Sequence, residues 1–209
     1  MSGNFDKIIC VTNRKLCEKP LEEQLAFLGK KGISRVILRE KDLPEEEYAR
    51  LAKRVLGVPE IELFIHNFPN AARELSVKKI HLPLAKLTRE ICAEFKEVGA
   101  SVHSPEEAAL AEKLGASYVT AGHIFATDCK KGVPPRGLDF LENVCKSVKI
   151  PVYAIGGITR SNMHLALEKG AAGVCVMSGL MNNAFFEESK KVEFDGNKNR
   201  PWLNLERNR

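Results

Sequence analysis

The chain of 209 residues lacks any long uninterrupted run of apolar side chains. A membrane-spanning helix needs roughly 18 to 20 of them in succession, so the sequence predicts no membrane span. Residues 1–7 also lack the basic and then apolar layout that is typical of a secretory signal. We therefore expect a cytoplasmic protein without a membrane partner.

The sequence also has little excess charge of either sign. Its 32 basic and 27 acidic side chains leave a formal charge of +5, which is spread along the chain instead of gathered in a block. Such a weak excess predicts no nucleic-acid partner. The six cysteines form no Cys-x-x-Cys pair, and most fall in apolar segments, where a thiol behaves as a small hydrophobic group. The pattern supports neither a disulfide framework nor a zinc site.

With 44% hydrophobic residues, the chain is long enough for one sizeable core and short for two ordinary domains. Short apolar runs predict eight strands: Lys7–Thr12, Arg35–Arg39, Glu62–His66, Lys79–Leu82, Ala100–His103, Ser117–Ala121, Pro151–Ile155 and Gly173–Met177. Amphipathic segments predict helices at Pro20–Lys30, Pro44–Leu56, Leu87–Val98, Pro105–Leu114, Leu138–Val148, Ser161–Lys169 and Met181–Val192, with at most a short helix at Pro69–Leu75.

This alternation of buried strands and helices is typical of a parallel sheet that helices cover. Eight such units predict an α/β protein with a single (β/α)₈ TIM-barrel domain over residues 1–192, followed by a polar tail over residues 193–209. A doubly wound open sheet is the alternative, but no Gly-x-Gly-x-x-Gly follows the first strand. Barrels often pair through their outer helices, so a homodimer is a further expectation, although the sequence does not reveal an oligomeric state.

In such a barrel the active site occupies the carboxyl ends of the strands. The longest connection there runs from His123 to Gly137 and concentrates polar residues, which favours a functional loop. His123 opens this loop at the end of the sixth predicted strand. Because an imidazole can exchange protons near neutral pH, His123 is the candidate for acid–base catalysis, against the alternative of a structural histidine.

Glycines mark the ends of the last two predicted strands, where Gly156-Gly157 and Met177-Ser178-Gly179 each precede a helix. Their bare backbone N–H groups predict a phosphate site, although glycines also serve plain tight turns. Arg39, Lys41 and Lys130 can supply further positive charge for an anionic substrate, or they are solvated surface residues.

These motifs together resemble the thiamine phosphate synthase superfamily, whose members are (β/α)₈ barrels. The resemblance rests on the order and spacing of five segments, which are residues 38–41, 99–108, 118–132, 154–158 and 176–179. It extends over most of residues 7–182.

The sequence departs from the synthase branch where that branch binds a pyrimidine diphosphate and Mg²⁺. Synthases have an Asn-Asp pair after strand three, a Gly-Gln-x-Asp segment after strand four, and a Gln before Leu-Arg-Glu-Lys. Here those places hold His66-Asn67, Pro83–Lys86 and Ile37. Since Mg²⁺ prefers carboxylate oxygens, the resemblance implies that this chain has no metal site.

The segment Gly122-His123-Ile124-Phe125-Ala126-Thr127-Asp128-Cys129-Lys130 closely resembles the thiazole tautomerase branch of the same superfamily. The resemblance implies a cofactor-free isomerase of thiamine biosynthesis, with a thiazole phosphate as small-molecule substrate and His123 as proton donor. It also implies that phosphate or thiazole is held by Thr127, Asp128, Cys129, Gly156, Gly157, Met177 and Ser178. Arg39, Ser101 and Lys130 are then candidates for the substrate carboxylate or the pocket wall.

Two alternatives remain open at this point. The chain can be a thiamine phosphate synthase with an altered pyrimidine site, or a regulatory barrel that binds a ligand without turning it over. We do not predict Cys129 to be a catalytic nucleophile, because nothing near it in the sequence indicates an activated thiolate.

Overall fold

The computed structural model describes residues 5–127 and 132–187, and in them eight parallel strands form a closed barrel in chain order. The predicted (β/α)₈ fold is therefore confirmed. The strands are β1 Ile8–Val11, β2 Arg35–Leu38, β3 Glu62–His66, β4 Lys79–Pro83, β5 Glu97–Val102, β6 Tyr118–Gly122, β7 Val152–Ile155 and β8 Gly173–Val176. β1 pairs with both β2 and β8, which closes the ring.

Helices alternate with these strands and cover the barrel. They are α1 Leu21–Lys30, α2 Glu45–Leu56, α3 Pro69–Glu74, α4 Arg89–Glu94, α5 Pro105–Leu114, α6 Gly137–Ser147, α7 Met163–Glu168 and α8 Ser178–Met181, with 3₁₀ turns at Arg14–Leu16 and Leu84–Lys86. In the part of the chain that the structure describes, no helix is long and apolar enough to span a bilayer.

The helix α5 begins and ends at the residues that its sequence predicts. At α5 the Ser104 hydroxyl accepts a hydrogen bond from the backbone N–H of Glu107 at 3.1 Å, and Pro105 occupies the first turn, where its missing N–H costs nothing. The helix ends at Gly115, which adopts a left-handed conformation with φ of 101°.

The prediction of a helix over Leu87–Val98 is wrong at its carboxyl end. α4 stops at Glu94, and β5 already begins at Glu97. The reason is long-range pairing: the backbone N–H of Lys96 donates to the carbonyl of Lys78 at 2.8 Å, and Glu97 pairs with Lys79 across the sheet. Tertiary pairing here overrides the local helical pattern.

The predicted start of the last helix is also wrong. α8 begins at Ser178 and ends at Met181, and Asn183 then adopts a positive φ of 64° that interrupts the helix. Helical structure resumes over residues 184–187. The rest of the predicted Met181–Val192 helix and the whole of the predicted tail over 193–209 lie outside the described residues.

Ion pairs and aromatic rings fill the barrel where its strands begin. Arg35 and Lys79 form ion pairs with Glu62 and Glu97, and these four residues are the first of β2 to β5. The Arg35 guanidinium also lies 5.0 Å from the centroid of the Phe64 ring, within cation–π range. These contacts pack the amino-terminal end of the barrel, opposite the carboxyl ends of the strands.

Gly99 makes room for the largest side chains inside the barrel. A Cβ at this position would overlap the ring of Tyr118 and the imidazole of His81. Because protein interiors are close-packed, neither ring can move aside without disturbing its neighbours.

We predict that Gly99→Ala lowers the free energy of unfolding by about 1–3 kcal/mol through overpacking. Gly179→Ala is the matched control, since its Cβ would meet nothing closer than the Phe185 Cβ at 3.4 Å, an ordinary contact. Chemical denaturation of both variants measures the difference, and equal stability of the two would contradict this packing argument.

Candidate active site

A cavity of about 300 Å³ opens at the carboxyl ends of the strands. Eight of the eleven predicted site residues line it: Arg39, Ser101, His123, Thr127, Gly156, Gly157, Met177 and Ser178. The other three, Asp128, Cys129 and Lys130, lie outside the described residues. The cavity therefore brings together residues from β2, β5, β6, β7 and β8 that are far apart in the sequence.

His123 is buried in the wall of this cavity, with 4% of its surface exposed. Its backbone is fixed from β7, because Ile124 N–H donates to the Ile155 carbonyl at 2.9 Å and Phe125 N–H donates to the Gly156 carbonyl at 3.0 Å. The ring thus belongs to the mouth of the barrel and does not point into bulk solvent.

The hydrogen bonds of the His123 ring indicate which nitrogen carries the proton. Nε2 lies 3.3 Å from the carbonyl oxygen of Val133, and a carbonyl can only accept, so Nε2 is the donor. Nδ1 is buried and has no hydrogen-bond partner among the described residues. In the neutral ring, the lone pair that can take a proton is therefore the one on Nδ1.

The two glycines after β7 are required by the packing of the long loop. Gly156 and Gly157 have positive φ values of 96° and 67°. A Cβ at Gly156 would overlap His123, and one at Gly157 would overlap the backbone of Phe125 and Ala126. Close approach of the loop is thus a sufficient reason for both glycines, and their role in phosphate binding stays a prediction.

Three further histidines, His66, His81 and His103, contribute to the cavity wall, and none of them is among the predicted site residues. The rings of His66 and His81 stack with centroids 6.0 Å apart. His81 is held on both sides, by Tyr118 Oη at 3.1 Å from Nδ1 and by Ser101 Oγ at 2.8 Å from Nε2. Both histidines stand on neighbouring strands in register, and only knowledge of that pairing could have brought them together.

Both of these histidines are neutral over the physiological pH range. Burial lowers the pKa of His81 to about 3. The pKa of His66 is also lowered to about 3, by burial first, then by His81 and by the cationic side chains of Arg39, Lys41 and Lys86. This side of the mouth therefore carries positive charge, and its histidines do not add to it.

The same charges argue against a Mg²⁺ site at the ends of β3 and β4. Asn67 and Lys86 occupy the places where the resemblance puts the acidic ligands of synthases, and an ammonium group repels a cation that prefers carboxylates. No group of three or more His, Cys, Asp or Glu residues suited to a metal occurs within residues 5–127 and 132–187. The residues present do not fit this ion.

The closed parallel barrel and the cavity at its mouth define a (β/α)₈-barrel protein with its candidate site in the position usual for enzymes of that fold. Comparison with known proteins gives the family. Residues 8–180 match the sequence pattern of the family described as thiamine monophosphate synthase. The chain belongs to this family.

Individual relatives agree with that assignment. The chain is 34% identical over 198 residues to the thiamine-phosphate synthase of Clostridium acetobutylicum, covering 90% of this chain and 93% of that protein. It is also 34% identical to the putative thiamine-phosphate synthase 2 of Aquifex aeolicus, covering 82% and 96%. Among solved structures, the thiamine phosphate pyrophosphorylase of Pyrococcus furiosus superposes with a TM-score of 0.75 at 32% identity, covering 91% and 97%.

The low pKa of His66 predicts a loss of stability in acid. An unfolded chain protonates this histidine below about pH 6.5, whereas the folded protein resists protonation until about pH 3. The free energy of unfolding must therefore fall as the pH drops through this window. Between pH 7.5 and 5.0 the fall for the parent should exceed that for His66→Gln by about 2 kcal/mol.

Denaturant titrations at the two pH values measure this difference. His164→Gln is the control, because His164 lies half-buried on α7 and does not line the cavity. An identical pH dependence of the parent and His66→Gln would mean that His66 is protonated as easily in the folded protein as in the unfolded chain.

Proposed function

We propose that this chain is an enzyme of thiamine biosynthesis that binds a thiazole phosphate in the mouth of the barrel and moves protons on it through His123. The observation that carries this proposal is the buried imidazole in the cavity wall, with Nε2 bonded to a backbone carbonyl and Nδ1 unpartnered. Nδ1 is the ring nitrogen that we propose as the proton carrier, because it has no partner among the described residues.

The reaction we propose is a tautomerisation without a cofactor. The substrate is a non-aromatic carboxythiazoline phosphate with an exocyclic double bond. His123 takes the proton from the ring carbon that bears the carboxylate, the released electron pair shifts through the ring, and the exocyclic double bond is protonated on its side-chain carbon. Atoms and charge balance, because one C–H bond breaks and another forms, and the aromaticity of the product supplies the driving force.

This order of events refines the role expected for His123. The resemblance implies a proton donor, whereas in the proposed reaction His123 acts first as a base and then returns the proton. His66 and His81 do not compete for this role, since a pKa of about 3 makes each a poor proton carrier near neutral pH.

The described members of the predicted binding set line the cavity in which we propose that the substrate binds. Arg39 offers a guanidinium for an anionic group, and Ser101 presents a hydroxyl that His81 orients at 2.8 Å. Gly156, Gly157, Met177 and Ser178 face them from the ends of β7 and β8. We propose that the phosphate lies on this second side. Thr127 also lines the cavity, and we propose that Asp128, Cys129 and Lys130, which follow it in the sequence, contribute to the same site.

Thiamine phosphate synthase is the second candidate function, and the names of the relatives favour it. The reported relatives are called synthases or a pyrophosphorylase and align over 82% or more of this chain, so the comparisons support a transferase better than an isomerase. Against it stand Asn67 and Lys86, which do not fit a site for the Mg²⁺ that the resemblance gives to synthases. The two functions give different products: a synthase makes thiamine phosphate from two substrates, whereas the tautomerase converts one substrate alone.

We predict that His123→Asn loses at least about 10²-fold in the rate of isomerisation, the lower end of the range for general acid–base catalysis, while it still binds the carboxythiazole phosphate product. Asparagine keeps a polar side chain of similar size but cannot exchange a proton at neutral pH. The rise of the aromatic product's absorbance and its binding by calorimetry are the two measurements.

His164→Asn is the matched control, because it makes the same change on α7, outside the cavity. It should isomerise the substrate at the parent's rate. Full turnover by His123→Asn would remove His123 from the mechanism, and loss of product binding would assign it to binding instead of catalysis.

A further inference from the structure

Arg39 is held over the mouth of the barrel, although it follows the last residue of β2. Its Nη1 atom lies 4.0 Å from the Met177 sulfur, which follows β8. β1 stands between these two strands in the barrel, so the guanidinium reaches across the end of β1. Something must fix the backbone at Arg39 for the side chain to keep this direction.

Thr12 supplies that fixation at the point where the β1–β2 ladder ends. The last bond of the ladder runs from Thr12 N–H to the Ile37 carbonyl at 3.0 Å. Beyond it, the Arg39 N–H donates to the Thr12 hydroxyl oxygen at 2.9 Å. The Thr12 side chain is fully buried, and it replaces the missing strand partner of Arg39.

Glu40 in turn fixes the Thr12 hydroxyl. The hydroxyl donates to Glu40 Oε1 at 2.6 Å, which leaves its lone pairs free to accept from Arg39. The Glu40 carboxylate is buried and also accepts from the backbone N–H of Arg14 at 3.0 Å and from Arg14 Nη1 at 2.9 Å. A buried carboxylate with all these donors is strongly held in one place.

The neighbouring peptide is held from the other side of the sheet. The Tyr48 hydroxyl on α2 donates to the Leu38 carbonyl at 2.6 Å and accepts from the His66 backbone N–H at 2.8 Å. The backbone around Arg39 is thus fixed by side chains from β1, α2 and its own loop, more closely than an exposed strand end requires.

We propose that Thr12 and Glu40 are positioning residues that act on the bound anion through Arg39. Neither of them is needed to bind the ligand itself: Thr12 does not line the cavity, and the Glu40 carboxylate is occupied by Thr12 and Arg14. Their part is to orient the guanidinium before the ligand arrives, which lowers the cost of ordering it on binding. This inference rests on the proposed function for the identity of the anion.

The test is a double-mutant cycle on Thr12 and Arg39, with carboxythiazole phosphate as the ligand and calorimetry as the measurement. Arg39→Met should weaken binding at least about tenfold, because it removes charge-assisted hydrogen bonds. Thr12→Val has the same shape as the parent without the hydroxyl, and it should weaken binding about tenfold when Arg39 is present. In the Arg39→Met background, the same change should alter the dissociation constant less than twofold.

Two further variants separate positioning from a general effect on the fold. Thr12→Ser keeps the hydroxyl and should restore binding to near the parent's affinity. Thr88→Val removes an exposed cap hydroxyl from α4 and should bind as the parent does. Thermal melts and circular dichroism confirm that each variant is folded before its affinity is compared.

The binding measurements distinguish failure of the positioning role from failure of the proposed function. If Thr12→Val weakens binding equally with and without Arg39, or does not weaken it at all, the positioning role is overturned while the proposed function stands. If the parent itself does not bind carboxythiazole phosphate, the proposed function and this inference fall together.

Discussion

The Cβ atom of His123 lies where a side chain at position 156 would have to be, so the candidate site depends on Gly156 having none. This contact joins the end of β6 to the end of β7 and places the imidazole in the wall of the cavity instead of above it. The backbone bonds of Ile124 and Phe125 to β7 follow from the same close approach. In a parallel barrel the carboxyl ends of all the strands lie at one mouth. Gly156 lets the loop after β6, which carries His123, pack closely against the end of β7.

Charge is distributed around the mouth in a way that suits an anionic ligand. Arg39, Lys41 and Lys86 are close enough to His66 to lower its pKa together with burial, while His66 and His81 remain neutral. The paired carboxylate of Glu40 is turned toward Thr12 and Arg14 and does not compete for the same anion. At the opposite end of the barrel the charges of Arg35, Lys79, Glu62 and Glu97 are paired among themselves. Of the three cations near His66, Arg39 and Lys41 line the cavity.

Much of the fold was predictable from the sequence because each unit repeats one pattern. Apolar runs marked all eight strands, and the Ser104 cap and the glycine at 115 marked the ends of α5. The predictions were wrong where contacts between residues distant in the sequence determine where an element begins or ends. The start of β5 at Glu97 depends on pairing with Lys79, and the break after α8 depends on the positive φ of Asn183. Neither leaves a signal in the local pattern.

The candidate site was predictable in part for the same reason. His123 and the glycines after β7 stand at strand ends, and position alone selects them. The tautomer of His123 depends on the Val133 carbonyl, and the fixation of Arg39 depends on Thr12, 27 positions away along the chain. His66 and His81 are not among the predicted site residues, and only the register of β3 and β4 reveals their stacking.

We propose above all that the chain moves a proton on a thiazole phosphate without a metal or a second substrate. Solvent deuterium tests it most directly: the parent protein is mixed with the carboxythiazoline phosphate in D₂O containing a chelator, and the product is followed by proton NMR. We expect the aromatic product, with deuterium on its side-chain carbon in proportion to exchange of the His123 proton with solvent. Two results together would contradict the proposed tautomerase function. The aromatic product would form no faster with the protein than without it, and thiamine phosphate would form when Mg²⁺ and a pyrimidine diphosphate are added.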